Sequence, residues 1–284
     1  MLRNISPTEM SDFTFCQKLW YYKRKGELVP IKIGFKDIAA YMGITVGWSV
    51  DQTIKKINHN PEDYFATLLQ EQLNLGRVYD FNVESKVETL PQLITKHITN
   101  IWEYQDTWLK GGTIIASEPI MTEFGNARQD VIIEDPQGFG VVGDFKCKLK
   151  ADSTAFPISR DIDLYGNQAQ LYPLAWNQEQ GIPTIKTMRF IYIQEDRKPI
   201  IEDQIINPRR QEKWLKGYEN VVHKINMLEI LEEPNSGNMI DYLTENPHHI
   251  TPWGYPCEFR EYCASGEHEQ GVLSEFIQAE RVKK

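Results

Sequence analysis

The chain has 284 residues, a formal net charge of −9, 41% hydrophobic and 11% aromatic residues. That length allows a substantial buried core, and no apolar run reaches the roughly 18 residues of a helical membrane span. The acidic balance argues against broad electrostatic attraction to nucleic acid, though it leaves room for a local basic groove.

The opening residues, MLRNISPTEMSDF, lack the apolar core of a signal peptide, so the cytoplasm is the expected compartment. In a reducing compartment the 4 cysteines read as thiols or metal ligands rather than disulfides. Residues 11–25, SDFTFCQKLWYYKRK, predict a helix with Ser11 or Asp12 as N-cap, a basic last turn, and Gly26 as its end. Phe15, Leu19 and Tyr22 share one face. Cys16 falls in the first turns, where a lone cysteine is usually a small buried apolar residue. Residues 36–57 predict a second helix, in which Gly43 and Gly47 weaken the helix or allow close packing. Residues 62–77 and 91–109 read as two more amphipathic helices, together a helical insertion over about residues 58–110. His59 and His97 lie there without ligand spacing and read as surface or internally satisfied histidines.

Residues 113–124, TIIASEPIMTEF, read as a strand pair or one long strand carrying Glu118. Residues 127–150 read as a hairpin. Asp130-Val-Ile-Ile is β-rich, and Asp135-Pro-Gln-Gly is a turn, with Pro setting φ and Gly tolerating positive φ. The second run ends in Asp144-Phe-Lys146. Residues two apart on a strand share a face, so Asp144 and Lys146 sit side by side. If Asp130 joins them from the neighbouring strand, two carboxylates and one ammonium converge. Two carboxylates suit a hard cation such as Mg²⁺. A lysine beside it can orient or deprotonate a water, or neutralise charge developing on a phosphate. Asp-x-Lys alone is short and common, and fits the solvated charges of any amphipathic hairpin. Basic candidates for a groove are residues 21–25, Lys146 with Lys148 and Lys150, and Arg209-Arg210 with Lys213; the last group reads as a solvated face.

Residues 151–162 read as a loop. Residues 163–180 predict a helix burying Leu164, Leu171, Leu174 and Ala175, kinked at Pro173. Gln168 and Tyr172 are four apart and share a face. Residues 187–194, TMRFIYIQ, form an apolar strand, and residues 208–232 a long helix with Pro208 in its first turn. Residues 233–256 are loop-rich, and the tail carries Cys257 and Cys263. The order is helices, three strands, helix, strand, helix, tail. It predicts an α/β fold, a central mixed sheet flanked by helices. The chain divides as one domain over 1–284: the helical insertion, a core over about 111–232, and a Cys-bearing C-terminal tail over 233–284.

The series Asp130, Asp144-x-Lys146, Gln168-x-x-x-Tyr172 resembles the PD-(D/E)XK nucleases of the RecB type and extends over about residues 11–263. The resemblance implies a restriction-endonuclease-like core and a Mg²⁺- or Mn²⁺-dependent DNA nuclease, an exonuclease on single strands or ends. It implies that Asp130 and Asp144 bind the metal, that Lys146 assists the attacking water, and that Gln168 and Tyr172 position Lys146 and the strand. Glu118 is a further acidic candidate. The family's Gly-x-x-Val-His stretch is matched by Gly47-Trp-Ser-Val-Asp51, with Asp51 in place of the histidine ligand and Gly43 offering a competing register. Asp51 can still ligate Mg²⁺ through oxygen. A subset of the family, including CRISPR-adaptation nucleases, holds a [4Fe-4S] iron–sulfur cluster on one N-terminal and three C-terminal cysteines. Here Cys16, Cys257 and Cys263 match, and Gly254 stands where the fourth ligand belongs; His248 or His249 could substitute, the alternative being an ancestral site that has lost its cluster and keeps its thiols packed. The partners implied are DNA and a recombination, phage or CRISPR-adaptation protein, with no membrane. The alternatives are a decayed nuclease fold serving as a nucleic-acid-binding or assembly subunit, and a structural Zn²⁺ tail on Cys257, Cys263 and a histidine.

Overall fold

The computed structural model describes residues 5–25, 29–117, 120–122, 125–127, 129–147, 166–178, 183–194, 197–231, 257, 259 and 276–277. Helix α1 (Pro7–Phe15) starts at Ser6, whose Oγ accepts from Glu9 N at 3.1 Å, with Pro7 in the first turn. The single helix expected over 11–25 is instead two. Cys16 takes an extended conformation and breaks the chain. Helix α2 (Gln17–Lys25) follows, with the Cys16 sulfur accepting from Leu19 N at 3.4 Å. Cys16 therefore caps a helix rather than lying inside one.

Strand β1 (Val29–Pro30) pairs with a late strand at Phe276–Ile277, and β2 (Lys32–Ile33) leads into α3 (Phe35–Ile54). Helix α4 (Pro61–Asn74) is capped by Asn60, and β3 (Val78–Tyr79) returns parallel to β2. Helices α5 (Phe81–Val87), α6 (Leu90–Glu103) and α7 (Gln105–Leu109) complete this helical segment. The stretch expected as one helix over 91–109 divides into α6 and α7. Arg77 is buried at the base of the segment. Its guanidinium donates to Pro30 O at 2.8 Å, Lys32 O at 3.1 Å, Asp37 Oδ1 at 3.1 Å and Gln72 Oε1 at 3.1 Å.

The stretch expected as a strand pair or one long strand over 113–124 instead holds two strands that do not pair with each other and enter different sheets. Strand β4 (Thr113–Ala116) joins the main sheet, whereas β5 (Ile120–Thr122) pairs with β6 (Gly125–Ala127). Strands β7 (Val131–Glu134) and β8 (Gly140–Cys147) form the anticipated hairpin. Its turn is closed by Asp135 Oδ1, which accepts from Gln137 N and Phe139 N at 2.9 Å each, with Gly138 at φ +79°. Helix α8 (Gly166–Trp176) crosses to β9 (Ile185–Gln194), parallel to β8. Strand β10 (Arg197–Ile205), which the sequence reading missed, pairs antiparallel with β9 and closes the order β10-β9-β8-β7-β4. An edge strand keeps one side open to water and tolerates charge, so Arg197, Lys198, Glu202 and Asp203 hide its periodicity.

The sheet buries both faces. Val131, Ile133, Val141, Phe145 and Ile191 pack against Val46, Val50, Phe65, Ile94 and Trp108 of the helical segment. Ile132, Val142, Met188, Phe190 and Tyr192 pack against Ala169, Leu171, Tyr172 and Ala175 of α8. The strict alternation follows from the two-residue period of a strand. Helix α9 (Pro208–Leu231), started by Asn207, clasps α1 and α2 through Tyr218, Val222, Ile225, Phe13 and Trp20.

Candidate active site

The Val131–Gly143 pairing puts Asp130 and Asp144 at the next step of the same antiparallel ladder. Asp130 N donates to Gly143 O at 3.2 Å, and Asp130 Oδ2 accepts from Phe145 N at 2.6 Å. The carboxylate thus takes over a backbone donor where β7 begins, and that fixes its rotamer. Its Oδ1 faces α3: a Cβ placed on Gly47 would lie 2.6 Å from it. A Cβ on Gly43 would meet nothing within 4 Å. Gly47, not Gly43, is therefore the close approach of α3 to this corner.

Asp144 lies on the face of β8 that carries α8 and is 6% exposed. Lys146 Nζ forms an ion pair with Asp144 Oδ2 and donates to Gln168 Oε1 at 2.9 Å. Gln168 Nε2 contacts Tyr172 OH at 3.4 Å. Asp144, Lys146, Gln168 and Tyr172 thus form one chain of polar contacts from sheet to helix. The Lys146 ammonium also stands 5.7 Å from the Phe190 ring centroid, on the strand that pairs with β8. Beyond its ion pair, Asp144 Oδ2 is buried with no hydrogen-bond partner among the described residues. A buried oxygen with spare acceptor capacity suits a hard cation that takes oxygen ligands and keeps several waters. Burial pushes the neighbouring Cys147 thiol well above its ordinary range; the Asp130 and Asp144 charges add to this, and Lys146 opposes it.

Asp51 sits one turn after Gly47 but is held differently. Its Oδ1 accepts from Ser117 Oγ at 2.7 Å and pairs with Lys55 Nζ at 3.1 Å, and its Oδ2 accepts from Gln52 Nε2 at 3.1 Å. Among the described residues no three His, Cys, Asp or Glu side chains gather as a group that could hold a metal. Glu118, Cys263, Gly254, His248, His249, Lys148 and Lys150 lie outside the described residues. Cys16 and Cys257 come together in a small cluster with Leu19, Tyr22 and Phe259.

Asn167, which the sequence reading passed over, anchors the start of α8. Its Nδ2 donates to Ser11 Oγ at 2.8 Å, and its Oδ1 accepts from Trp214 Nε1 at 2.8 Å. These partners are 156 and 47 positions away, so no local pattern signals the link.

No curated protein matches the chain. A family model described as the PD-(D/E)XK nuclease superfamily matches residues 4–264. A solved structure titled "Crystal structure of SSO0001" is similar at 12% identity and a TM-score of 0.26, over 78% of this chain and 87% of that one.

Proposed function

The chain belongs to the PD-(D/E)XK nuclease superfamily, and on that premise we propose that it is a divalent-metal-dependent deoxyribonuclease, acting as an exonuclease on single-stranded DNA or DNA ends. The observation that carries this reading is Lys146 standing between the buried Asp144 and Gln168 of α8, with Asp130 one ladder step across. The Asp130 and Asp144 carboxylates would hold Mg²⁺ or Mn²⁺, which when bound polarises the phosphodiester and lowers the pKa of a coordinated water. Asp144 keeps the Lys146 side chain at the site, and Gln168 Oε1 accepts a hydrogen bond from it, so the ammonium has a set direction. From there Lys146 orients the attacking water and offsets the charge that builds on the phosphate oxygens. Tyr172 steadies Gln168 and, from α8, flanks the path of the strand. Asp51, tied to Ser117 and Lys55, and Glu118 are further acidic candidates.

End-labelled single- and double-stranded DNA, incubated with Mg²⁺, Mn²⁺ or EDTA, tests the reading and reports polarity from the labelled end. Metal-dependent shortening that disappears in Lys146→Ala is the expected result. DNA binding without cleavage in either metal would instead identify a non-catalytic nucleic-acid-binding or assembly subunit on this fold.

A thiolate site on Cys16, Cys257 and Cys263 is a second proposal, favoured by the placement of Cys16 and Cys257 in one cluster. Three thiolates suit a metal or cluster site, with the fourth ligand supplied from elsewhere than Gly254. Protein purified without oxygen is expected to carry iron and sulfide with visible absorbance that Cys257→Ser abolishes. Bound zinc and no colour would assign a structural metal instead.

A further inference from the structure

Helix α3 carries an aromatic residue that the chemistry above does not use. Trp48 follows Gly47, the residue packed on Asp130. Its indole stacks on Tyr64 of α4, with ring centroids 4.1 Å apart and planes 11° from parallel. His59 meets Trp48 edge-on, at 5.3 Å and 87°. That imidazole is held at both nitrogens, by Ser49 Oγ at 2.7 Å and by Ile57 O at 2.8 Å. The three rings form a braced assembly, yet Trp48, His59 and Tyr64 are all only partly buried. Phe65, beside Tyr64 on α4, is by contrast fully buried. Trp48 also has a particular address. It lies three residues before Asp51 and seven before Lys55, so the three share one stripe of α3. The stripe runs from the rings to the Asp51–Lys55 ion pair, and Asp51 also accepts from Ser117, the residue after β4.

We propose that Trp48, braced by Tyr64 and His59, is a stacking platform for one unpaired base of the strand whose phosphate reaches Asp130 and Asp144. This deepens the nuclease reading and rests on it. Every base offers a π-face, so such a platform tolerates any sequence but needs a base that is not already stacked inside a duplex. The platform thereby selects single strands or frayed ends, and it places the base beside the helix that touches Asp130.

Binding measured apart from cleavage tests this. The full-length Lys146→Ala protein serves as the cleavage-deficient parent, and fluorescence anisotropy reports its affinity for a labelled single-stranded oligonucleotide and for the same oligonucleotide with abasic residues throughout its central stretch. Removing the platform is expected to weaken binding about tenfold, within the usual range for losing one base–aromatic stack. Trp48→Ala should show that loss, and Trp48→Phe should recover most of it. Abasic DNA should bind the parent about as weakly as intact DNA binds Trp48→Ala, and Trp48→Ala should not weaken it further. Equal binding of intact DNA by parent and Trp48→Ala, or an equal loss on abasic DNA, overturns the platform and leaves the nuclease reading standing. A parent that binds no single-stranded DNA overturns both. If Trp48→Ala proves unfolded by thermal melting, the parent's preference for intact over abasic DNA, reduced in Tyr64→Ala, decides in the same way.

Discussion

Gly47 shows how one hydrogen atom can set the geometry of a site. The helix can approach Asp130 only because no Cβ stands there; an added methyl would come within 2.6 Å of the carboxylate oxygen. Asp130 is meanwhile held by Phe145 N at 2.6 Å and has little freedom to retreat. Gly47→Ala is therefore expected to displace Asp130 and lower the cleavage rate on the order of a hundredfold, as ~1 Å misplacements at reacting groups do. Gly43→Ala is the matched control. It meets nothing within 4 Å in the middle of α3, so it should raise stability by about 0.5–1 kcal/mol through helix propensity and leave cleavage unchanged. Steady-state cleavage and thermal melting of the two variants check both halves. The sequence showed both glycines and could not choose between them, because the choice depends on a carboxylate more than 80 positions later. The Asp144–Lys146 contact was legible for the opposite reason. The two lie two apart on one strand, where the two-residue period fixes which side chains can meet.

At the scale of elements, the helical segment is fastened by side chains as well as by its own core. Arg77 is 4% exposed and ties the β2 region, α3 and α4 together through Pro30 O, Lys32 O, Asp37 and Gln72. Removing it leaves a partly buried carboxylate and several carbonyls without their donor. Arg77→Ala should accordingly cost about 3 kcal/mol, read as a lower midpoint in urea unfolding; a change below about 0.5 kcal/mol would contradict that role. The element pattern also explains what the sequence concealed. Helices α3, α4 and α6 and strand β9 carry long apolar stripes and were readable. Strand β10 is an edge and carries charges, so it was not. The break at Cys16 was hidden because the residues on both sides have helical pattern, although Ser6-Pro7-Thr8-Glu9 already marks the earlier start. The pairing of β5 with β6, away from the main sheet, has no signature in period or propensity.

For the whole molecule, the helical segment and the sheet are joined through one charged node. Arg189 donates to Asp203 at 2.6 and 2.9 Å and to Trp108 O at 2.5 Å, and Lys110 donates to Asp203 at 2.6 Å. Burial alone would raise the Asp203 carboxyl, but the hydrogen bonds and charges of Arg189 and Lys110 outweigh it and hold the group below its ordinary value. A depressed carboxyl stabilises the fold above its unfolded pKa, about 3.9, and the contribution fades as pH falls through the lower folded value. The melting temperature should therefore drop on acidification below about pH 4, and Asp203→Asn should flatten that limb while lowering stability at neutral pH. The same node keeps α7 against β9 and β10, behind the strand that carries Asp144 and Lys146. The fold thus holds Asp144 and Lys146 in contact on a sheet braced from both faces, the arrangement on which the proposed cleavage rests. The measurement that bears on this most directly is single-turnover cleavage of single-stranded DNA in Mn²⁺ by wild-type protein, Asp144→Ala and Lys146→Ala, each shown by melting to be folded. Cleavage by the wild type that falls by on the order of a thousandfold or more in both variants is the predicted result; undiminished cleavage in either folded variant would contradict it.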